Sequence, residues 1–137
     1  MAATLRKLED APILIVTHEG YLDVRAVETV TVQVAEVLAE SEEPLYGIID
    51  LRAATTSFPE VLRILHHQSQ GRLGTLSTDR GRIVLVGSNP LIRIFRKLFR
   101  LEEFGGLVLP IFSSLDEALV ALRAKIEADQ QSGSVPS

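Results

Sequence analysis

The chain has 137 residues, a formal net charge of −4, and 46% hydrophobic against 23% charged residues, the composition of a globular domain with one core. It has no cysteine, which excludes disulfides, thiolate metal sites and a cysteine nucleophile and favours an intracellular setting. Aromatics make up only 5% and tryptophan is absent, which argues against a stacking platform for nucleic acid.

The first ten residues mix Arg6, Lys7, Glu9 and Asp10 and have no apolar signal core. No apolar run reaches the ~18 residues that a membrane span needs, so a cytoplasmic protein without a transmembrane segment is expected. The charge is segregated. Residues 1–50 carry ten acids and three bases, residues 51–100 nine bases and two acids, and residues 101–137 six acids and two bases. A basic middle third gathered on one face would attract an anionic partner; otherwise its bases pair with acids from both ends.

In chain order, residues 4–9 read as a short first strand, and Asp10-Ala11-Pro12 as its turn. Residues 13–17 (Ile-Leu-Ile-Val-Thr) read as a strand buried on both faces, ended by His18-Glu19-Gly20. Asp23 caps a helix whose stripe is Val24, Val27, Val30, Val34, Val37 and Leu38. Ser41-Glu42-Glu43-Pro44 stops it, and residues 45–51 form the central strand. Ser57 and Glu60 make a Ser-x-x-Glu capping box for a second helix, with Pro59 in its first turn. That helix continues through Val61, Leu62 and Leu65 to about Gln70. Gly71-Arg72-Leu73-Gly74 breaks it.

Residues 82–87 form another apolar strand, and Ser88-Asn89-Pro90 opens a third helix through Ile92, Phe95, Leu98 and Phe99. Residues 102–106 unwind it, and residues 107–112, containing Pro110, read as an edge strand. Ser114 and Glu117 make a second capping box, before a helix with Leu115, Ala118, Leu119, Leu122 and Ile126 on its buried stripe. Residues 129–137 read as a disordered tail. Alternating strands and helices define a single α/β domain over residues 1–128, on a mixed, mostly parallel sheet of four or five strands.

Few residues spell out chemistry. His66 and His67 are adjacent on a helix and point about 100° apart, so they do not chelate one metal as an i, i+4 pair does. Asp50 at a strand end suits either a catalytic carboxylate or a cap on backbone amides, and the cap is favoured. Residues 71–81 bear glycines but lack the phosphate-cradling pattern and precede a strand, so they read as a plain connection. No nucleophile elbow is present. The helix over residues 91–101 is the most unusual stretch. Arg93, Arg96, Lys97 and Arg100 share one face, and its apolar arc is wide enough to leave Ile94 or Leu101 at the surface. It reads as a core helix with a solvated basic stripe, as a partner or self-association face, or as a contact for lipid headgroups.

Several segments together resemble the STAS domain, closest to its divergent SpoIIAA-like, SEC14-like group. They are residues 13–20, the strand Gly47-Ile48-Ile49-Asp50-Leu51, the strand Ile83-Val84-Leu85-Val86-Gly87, and Ile111-Phe112-Ser113-Ser114-Leu115-Asp116-Glu117-Ala118-Leu119. The resemblance implies a STAS-like sheet covered by helices and a regulatory role through contact with a protein partner, resembling anti-sigma-factor antagonists. It departs after the central strand. A regulatory STAS domain carries an Asp-Ser phosphoacceptor motif there, whereas this chain reads Arg52-Ala53-Ala54-Thr55-Thr56-Ser57-Phe58.

The resulting expectation is a non-enzymatic binding module without cofactor or metal. Asp50, Thr55, Thr56, Ser57 and Phe58 form its binding loop, with Ser57 as candidate phosphoacceptor. Arg93, Ile94, Arg96, Lys97, Arg100 and Leu101 form an interface or anion contact, and a homodimer and peripheral lipid contact are compatible with it. The alternative is a small lipid- or anionic-ligand-binding SEC14-like protein; an enzyme ranks third.

Overall fold

The structure, a computed structural model, describes residues 2–69, 83–100 and 110–133. The elements alternate as expected: β1 (Ala2–Lys7), β2 (Ile13–Tyr21), α1 (Val24–Glu40), β3 (Tyr46–Thr55), α2 (Phe58–Ser69), β4 (Ile83–Val86), α3 (Pro90–Phe99), β5 (Ile111–Phe112) and α4 (Leu115–Gly133). The five strands form one sheet in the order β1-β2-β3-β4-β5. β1 lies antiparallel on β2, and the other three pairings are parallel. β5 is an edge strand next to Pro110, in keeping with the proline's missing donor.

Alternation along the strands sends side chains to two covered faces. Ile13, Ile15, Ile48, Val84 and Val86 meet Ala118, Leu122 and Ile126 of α4. On the other face Leu14 and Val16 pack on Val30 and Val34 of α1, while Leu51, Ile83 and Leu85 pack on Val61 and Leu65 of α2 and Ile92 of α3. Burial of Ile13, Leu14, Ile15 and Val16 in succession explains the unbroken apolar run. Gly87 has φ +158°, and a Cβ there would come within 2.4 Å of Ile92 Cδ1, so glycine lets α3 close onto the end of β4.

Four sequence expectations are corrected. His18-Glu19-Gly20 does not end β2, which continues to Tyr21 alongside β3. The central strand continues past Leu51 to Thr55, so Ala53, Ala54 and Thr55 belong to the sheet. The tail expected from Asp129 begins as helix, because α4 runs to Gly133 and the Tyr46 hydroxyl donates to Asp129 Oδ2 at 2.5 Å. Both capping boxes are half formed: Glu117 N–H donates to Ser114 Oγ at 3.1 Å and Glu60 N–H to Ser57 Oγ at 3.4 Å, while the Glu117 carboxylate takes the Ser113 and Ser114 hydroxyls and the Glu60 carboxylate turns to another helix. The glycine-bearing connection 71–81, the unwinding at 102–106 and most of the expected strand 107–112 lie outside the described residues.

Candidate functional site

The extension of β2 and β3 brings two turns together. Between Thr17 and Glu19 the register with β3 slips: Thr17 faces Asp50 and Glu19 faces Ala53, so Leu51 and Arg52 share the place opposite His18. This extra residue is a bulge, and it reverses which face the following side chains take. Ile49 and Leu51 before it and Ala54 after it all line the helix-bearing side occupied by α2.

Beyond the bulge, the β2–α1 and β3–α2 turns are tied by backbone and side-chain bonds. Leu22 N–H donates to Thr55 O at 2.6 Å, and Thr56 Oγ1 donates to Leu22 O at 2.8 Å. The Tyr21 and Ser57 hydroxyls share a hydrogen bond of 2.9 Å. Glu60 is buried, and its carboxylate does not fold back on Ser57. Glu60 Oε2 instead accepts the Val24 N–H, the first of α1, at 2.9 Å, while Oε1 takes Arg63 Nη1. Asp23 Oδ1 accepts Ala26 N–H at 2.8 Å. The helix starts of α1 and α2 are therefore capped as a unit, with one of the two carboxylates supplied from the neighbouring helix.

Ser57 sits half-buried at the centre of this joint, and its Oγ also accepts Glu60 N–H at 3.4 Å. Thr55 is exposed and Thr56 half-buried with its hydroxyl already donated. Around Ser57 three large side chains reach solvent: Tyr21 at 44%, Phe58 at 47% and Leu62 at 41%. Phe58 and Leu62 are four apart on α2 and so lie on one face. The sequence named Phe58 but neither Tyr21 nor Leu62. A lone tyrosine after Gly20 carries no pattern, and Leu62 reads as core until the helix's orientation is known.

Asp50 belongs elsewhere. It precedes the bulge on the face of Ile48, toward α4, and is 4% exposed. Burial pushes its carboxyl up, but Arg52 outweighs that with side-chain bonds of 3.0 and 2.8 Å, a backbone N–H bond of 3.1 Å and its charge. The net effect holds the carboxyl below its ordinary value, so Asp50 is an anion committed to Arg52. His18 lines pockets on the opposite, α1-bearing face, so these two groups do not converge. His66 is exposed, and His67 Nδ1 lies 3.6 Å from Glu28 Oε1. Among the described residues no cluster has the composition of a metal site.

On α3, Arg93, Lys97 and Arg100 are exposed, while Ile94 and Arg96 are half-buried. Ile94 is thus less open than the wide apolar arc suggests. Arg96 Nε is buried without a hydrogen-bond partner among the described residues. Leu101 lies outside the described residues.

Under the joint, between β3 and helices α2 and α3, is a pocket of about 110 Å³ bounded by residues including His18, Leu22, Ile49, Leu51 and Ile92. Its wall shares Leu22, Thr55 and Thr56 with the tie between the turns.

The arrangement is the STAS/SpoIIAA-like fold. A protein of the DUF3478 family with a SpoIIAA-like fold from Shewanella loihica PV-4 is similar at 16% identity and a TM-score of 0.59, over 88% of this chain and 92% of that one. An anti-sigma factor antagonist from Mycobacterium paratuberculosis is similar at 21% identity and a TM-score of 0.56, over 89% and 93%. The anti-sigma factor antagonist SpoIIAA in its unphosphorylated form is similar at 16% identity and a TM-score of 0.56, over 90% and 98%. No protein-family model matches the chain, and no curated protein matches it.

Proposed function

We infer that the protein is a non-enzymatic STAS-like binding module with a regulatory role, acting by protein–protein contact through the surface around Ser57. The carrying observation is the grouping of exposed Tyr21, Phe58 and Leu62 about a hydroxyl held by Tyr21 and the α2 amide end. Apolar side chains left open on a tied, rigid joint are the pattern of a docking surface. Two of the structurally similar proteins are anti-sigma factor antagonists, which supports a protein partner for this chain. Ser57 is the candidate phosphoacceptor: a phosphate there would break the Tyr21 bond and place negative charge at the start of α2. Asp50 is assigned to the Arg52 pair rather than to the docking surface. The exposed bases Arg93, Lys97 and Arg100 form a secondary contact for an anionic or lipid surface, and a homodimer remains compatible with the docking face.

The test is affinity capture from the native host with the wild type, Ser57→Asp and Phe58→Asp. The expected outcome is a protein retained by the wild type and lost, at least tenfold, by Phe58→Asp, with unchanged circular dichroism. Equal retention by all three removes this surface from the mechanism, and unchanged binding by Ser57→Asp alone removes the charge switch.

A second reading, a small lipid- or anionic-ligand-binding SEC14-like protein, is favoured by one observation, the pocket beneath the joint. Its wall includes Leu91 and Ile92 of α3.

A further inference from the structure

The pocket between β3, α2 and α3 differs from an ordinary packing gap in size and lining. Protein interiors keep few voids larger than a water molecule, because each forfeits dispersion contacts. This one measures about 110 Å³ and is walled by Leu22, Ile49, Leu51, Leu85 and Ile92 among others. Among the described residues no Asp, Glu, Lys or Arg borders it. Two of its polar wall groups are committed elsewhere: the Thr56 hydroxyl donates to Leu22 O at 2.8 Å, and Asn89 Oδ1 accepts Leu91 N–H at 2.8 Å.

His18 is the exception. It is 7% exposed, it borders the pocket, and its ring has no hydrogen-bond partner among the described residues. Burial lowers its pKa, so the imidazole is neutral at pH 7 and offers one N–H and one lone pair. Beside His18 the wall offers a water only Thr55 and the Asn89 amide group, against an otherwise apolar lining, and a stable buried water needs two to four polar partners.

We propose that this pocket is a binding site for a small, uncharged, largely apolar molecule about the size of one aromatic ring, bearing a single polar group that pairs with His18. The proposal rests on the ligand-binding reading for its pocket and replaces the lipid or anion of that reading with a neutral ring. An apolar cavity of roughly 150 Å³ holds benzene, so the present volume of about 110 Å³ sets one ring as the upper limit and leaves no room for a diacyl lipid. With no charged side chain among the described residues of the wall, a charged ligand would find no partner there, so a neutral one is favoured. His18 supplies orientation, since a lone donor–acceptor in an apolar wall fixes which end of the ligand faces it.

Phenol, benzene and benzoate serve as probes in methyl-detected NMR titrations of the full chain. Phenol is expected to shift the methyls of Leu51, Val61, Leu85 and Ile92 saturably, and benzoate to leave them unmoved. His18→Leu is expected to weaken phenol at least fivefold while benzene binds as to the wild type. Ala54→Leu, which fills the wall without touching His18, is expected to abolish both. It keeps the proposal testable if His18→Leu fails to fold. Absence of saturable shifts with phenol and benzene overturns the proposal, and equal phenol affinity in folded His18→Leu overturns the role of His18. Retention of a phospholipid on native mass spectrometry without phenol binding overturns the proposal but leaves the ligand-binding reading standing. Failure of every probe and of phospholipid removes both.

Discussion

Asp50 and His18 are buried titratable groups on opposite faces of one sheet, and they respond to acid for different reasons. The Asp50 carboxyl is held below its ordinary value, so its stabilising contribution is complete above about pH 4 and is lost as pH falls through the lowered folded value. Asp50→Asn should lower the unfolding free energy at pH 7 by about 1 kcal/mol, a modest figure because Arg52 is half exposed and water screens the pair. Urea unfolding at pH 7 and pH 3 should show the two proteins converging in acid. His18 works with the opposite charge. Its folded pKa is lowered, so the unfolded chain takes up the proton first, and stability declines as pH drops below about 6.5 until the lowered value is reached. Glu19, Tyr21 and Arg25 border the second pocket that His18 lines, and burial alone accounts for the lowered value. His18→Gln should flatten this part of the profile, measured by urea midpoints from pH 7.5 to 5.

At the scale of elements, the joint between the starts of α1 and α2 depends on Glu60. The Ser-x-x-Glu spacing predicts a reciprocal cap, and half of it is present: Glu60 N–H reaches Ser57 Oγ. The carboxylate goes to Val24 instead, because the neighbouring helix presents an orphan N–H that no local spacing can reveal. Glu60→Ala should cost about 1–2 kcal/mol, the range for a lost N-cap that leaves a buried donor unpaired. Amide exchange at Val24, expected to be slow in the wild type because Glu60 accepts its N–H, should accelerate at least tenfold. Glu60→Gln, which keeps a carbonyl acceptor, should restore most of the protection. The docking surface was legible in the sequence to the same partial degree. The hydroxyl run and Phe58 mark the place, whereas Tyr21 and Leu62 join it only through the strand extension and the helix's orientation. The bulge opposite His18 has no sequence signal of its own, since Leu51-Arg52 continues an apolar-polar alternation without a glycine or proline.

For the whole molecule, the alternation of strands and helices was sufficient to derive a mixed, mostly parallel sheet of four or five strands under a layer of helices, while the structure adds that helices cover both faces. Strand order was not derivable from pattern, because periodicity states which face is buried and not which neighbour lies beside it. The observed order equals the chain order, so each strand adds to the one made just before it. One element breaks that locality. α4 reaches back across the sheet, through Asp129 to Tyr46 and Arg123 to Asp10, and among the described residues it is the helix that covers Ile13, Ile15, Ile48, Val84 and Val86. That apolar face therefore stays uncovered in any partly folded state in which α4 has not yet docked.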